Sequence, residues 1–361
     1  MYPILVHAHI QSRGKKGNII FALICAFAVN NRARTTMKKW KFCVNSGFFG
    51  KRRDRFTEYQ PDRSLEEKFN LISKIEAIEG VELKYPFDLK DVTHAKQLLK
   101  DHNLICSAVN VDIKDAAYFR YGALSARSST ARDRAVTMLR EGMDAAVELG
   151  ADMVSTCPLA EGYDYPFQLD YTDAWGYLVE SIKAVVTHRS DVKLAIEFQP
   201  HEPHSRILLG NVGKMLHVCA EVGAENFGAN LDIGHSFAAL ESPAESASLL
   251  AGKGKLFYVH TNDNTGDGGD WDMVSGTVHF WHWIELLVTL NTIGYDDWLG
   301  GDIAPKHMGP VEAFDINTRM IQRMIKLLDR IGVEKLQAMI RADGNTHEIY
   351  DCLSKSMFPE V

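Results

Sequence analysis

Eight short runs rich in apolar and β-branched residues recur along this chain, at 40–45, 81–85, 105–111, 153–157, 193–198, 227–232, 256–260 and 298–302. A longer segment of helical period separates each run from the next. Parallel strands need a connection of a dozen or more residues, normally a helix, so this alternation predicts βα units around a parallel sheet. Eight such units in order make one α/β (β/α)8 TIM barrel, and 361 residues accommodate it as a single large core. A doubly wound sheet is the structural alternative. No GxGxxG follows the first run, no GxxxxGK[ST] occurs anywhere, and Gly266, Gly268 and Gly269 fall in a late loop.

The intervening segments carry helix signals. Ser64 and Glu67 form a capping box ahead of an apolar face made by Leu65, Phe69, Ile72 and Ile75. Val136, Leu139, Met143 and Val147 repeat the pattern before Gly150, placed where a helix needs a left-handed stop. Trp175, Leu178, Ile182 and Val185 do the same, as do Ile316, Met320, Met324 and Leu327. These stripes read as helix faces packed on a barrel.

Three segments follow. Residues 1–36 read as a leader, 37–335 as the barrel and 336–361 as a C-terminal extension. In the leader, Arg13, Lys15 and Lys16 precede an apolar run from Ile19 to Val29 in which Ala26-Phe27-Ala28 imitates a small-residue cleavage site. The run is too short for a membrane span, which needs about 20 apolar residues. It reads either as an extension ahead of a start at Met37 or as an export signal. Six scattered cysteines without a CxxC suit reduced thiols and a cytoplasmic location, with export through the N-terminal run as the alternative. With 47 Asp+Glu against 40 Lys+Arg, the chain lacks the basic excess of a nucleic-acid binder. Neither a nucleic-acid nor a membrane partner is expected.

In a barrel of this kind the C-terminal strand ends converge on one mouth. The last four runs deliver Glu197, Asp232, His260 and Asp302 there. Three carboxylates beside an imidazole repel one another unless compensated, and a divalent cation is the ordinary remedy. Oxygen-rich ligands with one imidazole favour Mn²⁺, Mg²⁺ or Co²⁺. His235 follows Asp232 by three residues, and Asp270 and Asp272 alternate in the loop after the seventh run. In an extended loop two such carboxylates share a side; the other reading of that pair is a solvated acidic turn.

At these residues the sequence resembles the xylose isomerase and L-rhamnose isomerase group within the xylose isomerase-like barrel superfamily. The segment from Ile196 to Pro203 is similar to the family's IEPKPNEP element, and Asp232-Ile233-Gly234-His235 to its acidic-x-Gly-His element. Phe257 to Asn262 resembles the FHIDLN element, with His260 in the ligand position as in rhamnose isomerases. Asp270-Trp271-Asp272 resembles the Asp-x-Asp ligand pair, and Gly301 to Pro305 the closing FDFKP element. The similarity runs from about Lys193 to Arg330.

The resemblance implies two divalent ions, Mn²⁺, Co²⁺ or Mg²⁺. Glu197, Asp232, His260 and Asp302 would hold the first; His235, Asp270 and Asp272 would hold the second, with Asp232 bridging. It implies a small sugar substrate, aldose–ketose interconversion by a metal-assisted 1,2-hydride shift, and a homo-oligomer, dimer or tetramer. Glu197, Asp302, Glu202 and His235 are the implied catalytic residues. Gln199, Asn262, Arg206, Lys306 and Phe56 are the expected substrate contacts, Phe56 resembling an aromatic that the family inserts into a neighbouring subunit's site. Three departures stand out. Gln199 replaces the family lysine after the first glutamate. Lys84, Tyr85 and Asp88 occupy the region of the family's catalytic histidine. Thr156, Cys157 and Pro158 occupy that of its tryptophan. These departures favour as rivals a ketose 3-epimerase or related proton-transfer enzyme. An abasic-site endonuclease or a non-catalytic subunit is a more distant alternative.

Overall fold

Eight parallel strands close on one another in the computed structural model, which describes residues 36–114, 117–202, 205–267, 269–342 and 346–358. They are β1 (Phe42–Asn45), β2 (Gly80–Tyr85), β3 (Ile105–Val111), β4 (Met153–Thr156), β5 (Lys193–Glu197), β6 (Phe227–Asp232), β7 (Leu256–Thr261) and β8 (Leu299–Gly301). Each pairs with its sequence neighbours, and β1 closes the barrel by pairing with both β2 and β8. The expected α/β barrel is therefore present, with strand limits shifted by one or two residues. All but residue 36 of the expected leader lies outside the described residues, as do Cys25 and His204.

The helices form where the sequence places their signals. Leu65–Ile72 (α1) begins with the Ser64–Glu67 capping box, both halves of which are formed. Ser129–Leu149 ends on Gly150, whose φ of +80° is the left-handed conformation that stops the helix. Tyr171–Val186 and Pro310–Ile331 cover the other predicted faces. Two short hairpins, pairing Arg52–Arg53 with Glu58–Gln60 and Gly162–Tyr163 with Arg206–Ile207, decorate the loops and have no strong signal in the sequence.

Inside the barrel, Cys43, Ala108, Met153, Ala195, Tyr258 and Trp298 form a buried cluster that mixes small and large side chains. The Tyr258 hydroxyl lies 3.0 Å from Cys43 Sγ and 3.2 Å from Ser107 Oγ, so its polar tip is satisfied in the core. A Cβ at Gly300 would stand 3.0 Å from that hydroxyl, which explains the glycine in β8. Burial pushes the Cys43 thiol up to about 12, leaving it a small core side chain. The five described cysteines are all free.

The barrel belongs to a compact unit of Lys38–Leu328, and a second unit contains Met37 and Asp329–Val361. In the second, the Met37 backbone N–H donates to Asp329 Oδ1 at 2.7 Å, and helices Val333–Arg341 and Thr346–Met357 follow. No helix among the described residues is long and apolar enough to cross a membrane.

Candidate metal centre

Four successive strands, β5 to β8, deliver Glu197, Asp232, His260 and Asp302 to the mouth. One ligand atom from each lies within 4.8 Å of all the others. His260 Nδ1 stands 3.1 Å from Glu197 Oε2 and 3.0 Å from Asp302 Oδ2. Asn230 Nδ2 donates to Glu197 Oε2 at 3.1 Å. Asp232 caps the helical turn Ile233–Ala238, accepting from the His235 backbone N–H at 2.8 Å, and its other oxygen accepts from Asn262 Nδ2 at 2.8 Å.

The far side of His260 exposes a residue that the sequence reading missed. Nε2 lies 2.9 Å from Oε2 of Glu82, in the middle of β2. Glu82 also accepts from Asn110 Nδ2 at 2.9 Å and from Ser155 Oγ, and it is wholly buried. A carboxylate on one imidazole nitrogen turns the other toward a cation and raises its basicity. The available signal was a charged residue between Val81 and Leu83 in a parallel strand, where both faces are normally apolar.

The electrostatics fit a cation. Burial opposes the charge on Glu197, yet His260 and His235 hold its carboxyl well below the ordinary range. Burial also opposes a charge on His260, and the carboxylates of Glu82, Glu197 and Asp302 overcome it, keeping the imidazole protonated well above its usual value. Asp232 is pushed up to about 7, first by burial and then by neighbouring carboxylates, against the pull of His235. The metal-free centre thus retains protons where carboxylates crowd, and a divalent cation would replace them. His235 Nδ1 is buried without an aligned hydrogen bond, although Glu197 Oε1 stands 3.1 Å away.

The second constellation is looser. His235 Nε2 lies 3.3 Å from Asp270 Oδ2. Asp272 has a φ of +45°, a conformation uncommon for a residue with a side chain and typical of functional sites. Desolvation pushes the Asp272 carboxyl well up, followed by the charges of Asp270, Asp302 and Asp232, while Arg52 pulls it down. The other convergent cluster among the described residues is Cys157, Glu197 and His235; Asp270 and Asp272 belong to neither cluster.

A cavity of about 700 Å³ joins these groups, lined among others by Glu197, His235, Asp270, Asp272 and Asp302, together with Gln199 and Glu202. Gln199 is buried; its amide donates to the His201 carbonyl at 3.2 Å and lies 3.4 Å from Glu202 Oε2. The remaining expected substrate contacts do not line this cavity. Asn262 spends both amide atoms on Asp232 and the Gly234 backbone N–H, which makes it a brace for Asp232. Lys306 pairs with Asp54 at 2.7 Å. Arg206 is exposed in its hairpin, and Phe56 is 80% exposed.

The model of the Xylose isomerase-like TIM barrel family matches residues 69–333. A xylose isomerase of Thermus thermophilus is 25% identical over 209 residues, 56% of this chain and 54% of that protein. The chain thus spans about half the length of this curated relative. Among solved structures, a D-tagatose 3-epimerase-like protein is similar with a TM-score of 0.63 at 20% identity, over 80% of this chain and 98% of that one. An L-ribulose 3-epimerase is similar with a TM-score of 0.63 at 15% identity, over 85% and 99%. The IOLI protein, solved with a zinc atom, has a TM-score of 0.59 at 17% identity, over 79% and 97%. At these identities the structural likenesses speak for the fold. The family match contains every strand from β2 to β8 and all seven candidate ligands. The chain belongs to the Xylose isomerase-like TIM barrel family.

Proposed function

We propose that this chain is a divalent-metal-dependent sugar isomerase that interconverts an aldose and a ketose by moving a hydrogen between adjacent carbons. The observation that carries this reading is the convergence of Glu197, Asp232, His260 and Asp302 within 4.8 Å at the mouth, beside His235 and the acidic pair. The sequence likeness to a xylose isomerase supports it. A bound Mn²⁺, Co²⁺ or Mg²⁺ supplies charge that polarises a carbonyl and eases deprotonation of a neighbouring hydroxyl.

The chain's own residues do the rest. Glu197, Asp232, His260 and Asp302 would hold the first ion, with Asn230, Asn262 and Glu82 fixing Glu197, Asp232 and His260 in orientation. His235, Asp270 and Asp272 would hold a second ion. Glu202 positions the Gln199 amide, which offers a neutral hydrogen bond to a sugar oxygen. The working partners are a small sugar and further copies of the chain, as a dimer or tetramer, and no nucleic acid.

A ketose 3-epimerase is the second reading. It is favoured by one feature: Glu197 and Asp302 face each other across His260 Nδ1, while Asp270 and Asp272 stand outside the convergent clusters. Two opposed carboxylates are the arrangement that exchanges a carbon-bound proton. Elemental analysis followed by NMR of aldoses and ketoses in heavy water tests both. Aldose–ketose conversion with little solvent deuterium on carbon supports the isomerase; deuterium at the inverted carbon of a ketose favours the epimerase. Neither metal nor conversion would sink both.

A further inference from the structure

His235 and His260 stand in matching positions around Glu197. His260 turns Nδ1 to Glu197 Oε2 at 3.1 Å and Nε2 to Glu82 at 2.9 Å. His235 turns Nδ1 to Glu197 Oε1 at 3.1 Å and Nε2 to Asp270 at 3.3 Å. Each imidazole thus has a carboxylate behind it and faces one oxygen of the same glutamate, the arrangement that presents Nδ1 to a cation. On the His260 side, Asp232 and Asp302 complete a ligand set. On the His235 side the third ligand atom is Cys157 Sγ, and one atom from each of Cys157, Glu197 and His235 lies within 4.8 Å of the others.

The strand register puts the thiol there. Thr156, the last residue of β4, pairs with Ile196 of β5, so Cys157 and Glu197 are the next two residues out, side by side at the mouth. The Cys157 carbonyl accepts from the Leu159 backbone N–H at 2.9 Å and from Lys114 Nζ at 3.4 Å, which fixes the backbone that carries the thiol. Cys157, Glu197 and His235 are 7%, 4% and 3% exposed, so a cation among them would be shielded from bulk water. Two oxygen or nitrogen ligands bonded to zinc at about 2.0–2.1 Å in a tetrahedral arrangement lie about 3.4 Å apart. The 3.1 Å between Glu197 Oε1 and His235 Nδ1 suits that span. All three side chains also line the cavity, so a fourth position on the ion would face it.

We propose that Cys157, Glu197 and His235 form a thiolate-bearing cation site, filled by Zn²⁺ or Co²⁺, with Glu197 bridging to the first ion. This rests on the isomerase reading and specifies where its second ion sits: on the Nδ1 side of His235, with Asp270 as a positioning residue behind Nε2. Sulfur beside imidazole selects zinc-like ions over Mg²⁺ and Mn²⁺, whereas the oxygen-rich set around Asp232 and Asp302 accepts the harder ions. The two positions therefore differ in kind. Binding breaks the S–H bond that points at Gln199 Oε1, 3.5 Å away, forms the sulfur–metal bond and releases the proton to solvent.

The test titrates the metal-free full chain with Co²⁺, whose bond to a thiolate gives a charge-transfer band in the near ultraviolet, and counts bound metal by elemental analysis. The expected result is two Co²⁺ per chain with the band, and loss of the band when Zn²⁺, a d¹⁰ ion, displaces the cobalt. Cys157→Ser should remove the band and one ion while circular dichroism reports an intact barrel. Asp270→Asn should raise the Zn²⁺ Kd about 10- to 100-fold yet show the same band at saturation, as a residue behind a ligand requires. Cys352→Ser, on a free thiol outside the barrel unit, should change nothing. Two Co²⁺ without the band in the unaltered chain would overturn the proposal and leave the isomerase reading in place, with its second ion on the Asp270 side. A band that survives Cys157→Ser would also overturn it, and so would a single ion per chain, which favours the epimerase. A sulfur-bound ion without conversion of any aldose or ketose would instead keep the site and remove the assigned reaction.

Discussion

Replacing Glu82 with glutamine tests whether the metal centre depends on the carboxylate behind His260. In the structure Oε2 meets His260 Nε2 at 2.9 Å, and the other oxygen takes Asn110 Nδ2 at 2.9 Å and Ser155 Oγ. Glutamine keeps the volume but removes the charge and turns one acceptor into a donor. That NH₂ must face either the imidazole N–H or the Asn110 and Ser155 donors, so one good contact becomes donor against donor. Glu82 and His260 are both wholly buried, so water does not screen the loss. Removing such a partner typically weakens metal binding about 10- to 100-fold, or roughly 1.4–2.7 kcal/mol. Calorimetric titration of the metal-free chain with Mn²⁺ should show that rise in Kd, while circular dichroism reports an intact barrel. A Glu82→Gln chain that binds Mn²⁺ within about two-fold of the wild type would refute the reasoning.

Three further outcomes follow from the same geometry. Because the Asp232 carboxyl rises to about 7 in the folded metal-free chain, it binds protons there that the unfolded chain has released; its share of stability is present below about pH 4 and is lost as pH rises through 7, so Mn²⁺ should raise Tm more at pH 8 than at pH 5. Metal entry must also displace the proton held on His260, so the calorimetric heat at pH 7 should vary with buffer ionisation enthalpy, with about one proton or more released per ion. Away from the centre, Glu161 accepts from the backbone of Ala123, Leu124 and Ser125 in a wholly buried site; Glu161→Ala should cost at least about 3 kcal/mol by urea unfolding.

The barrel was legible because eight strands buried on both faces read as apolar runs, and helices such as α1 announce themselves by caps. The four candidate ligands were legible because each sits at a strand's C-terminal end, where a polar residue has no packing reason. Glu82, Asn230 and Asn110 escaped for the converse reason. They lie within strands, and their roles appear only when β2, β3, β6 and β7 are brought together, Glu82 and His260 being 178 positions apart in the sequence. Lys306 and Asn262 sit near the right strand ends, but Asp54 and Asp232 engage them first, and a linear sequence does not display such competition.

The order of the strands has a consequence for how such a chain can change over time. Every residue proposed to hold the first cation comes after residue 196, whereas Glu82, which meets His260 from behind, lies on β2. The late part of the sequence is thus tied to the early part through a buried contact, and neither can be exchanged between relatives without regard to the other. A change at His260 should be tolerated only alongside a matching change at Glu82, so the two positions should vary together across a lineage.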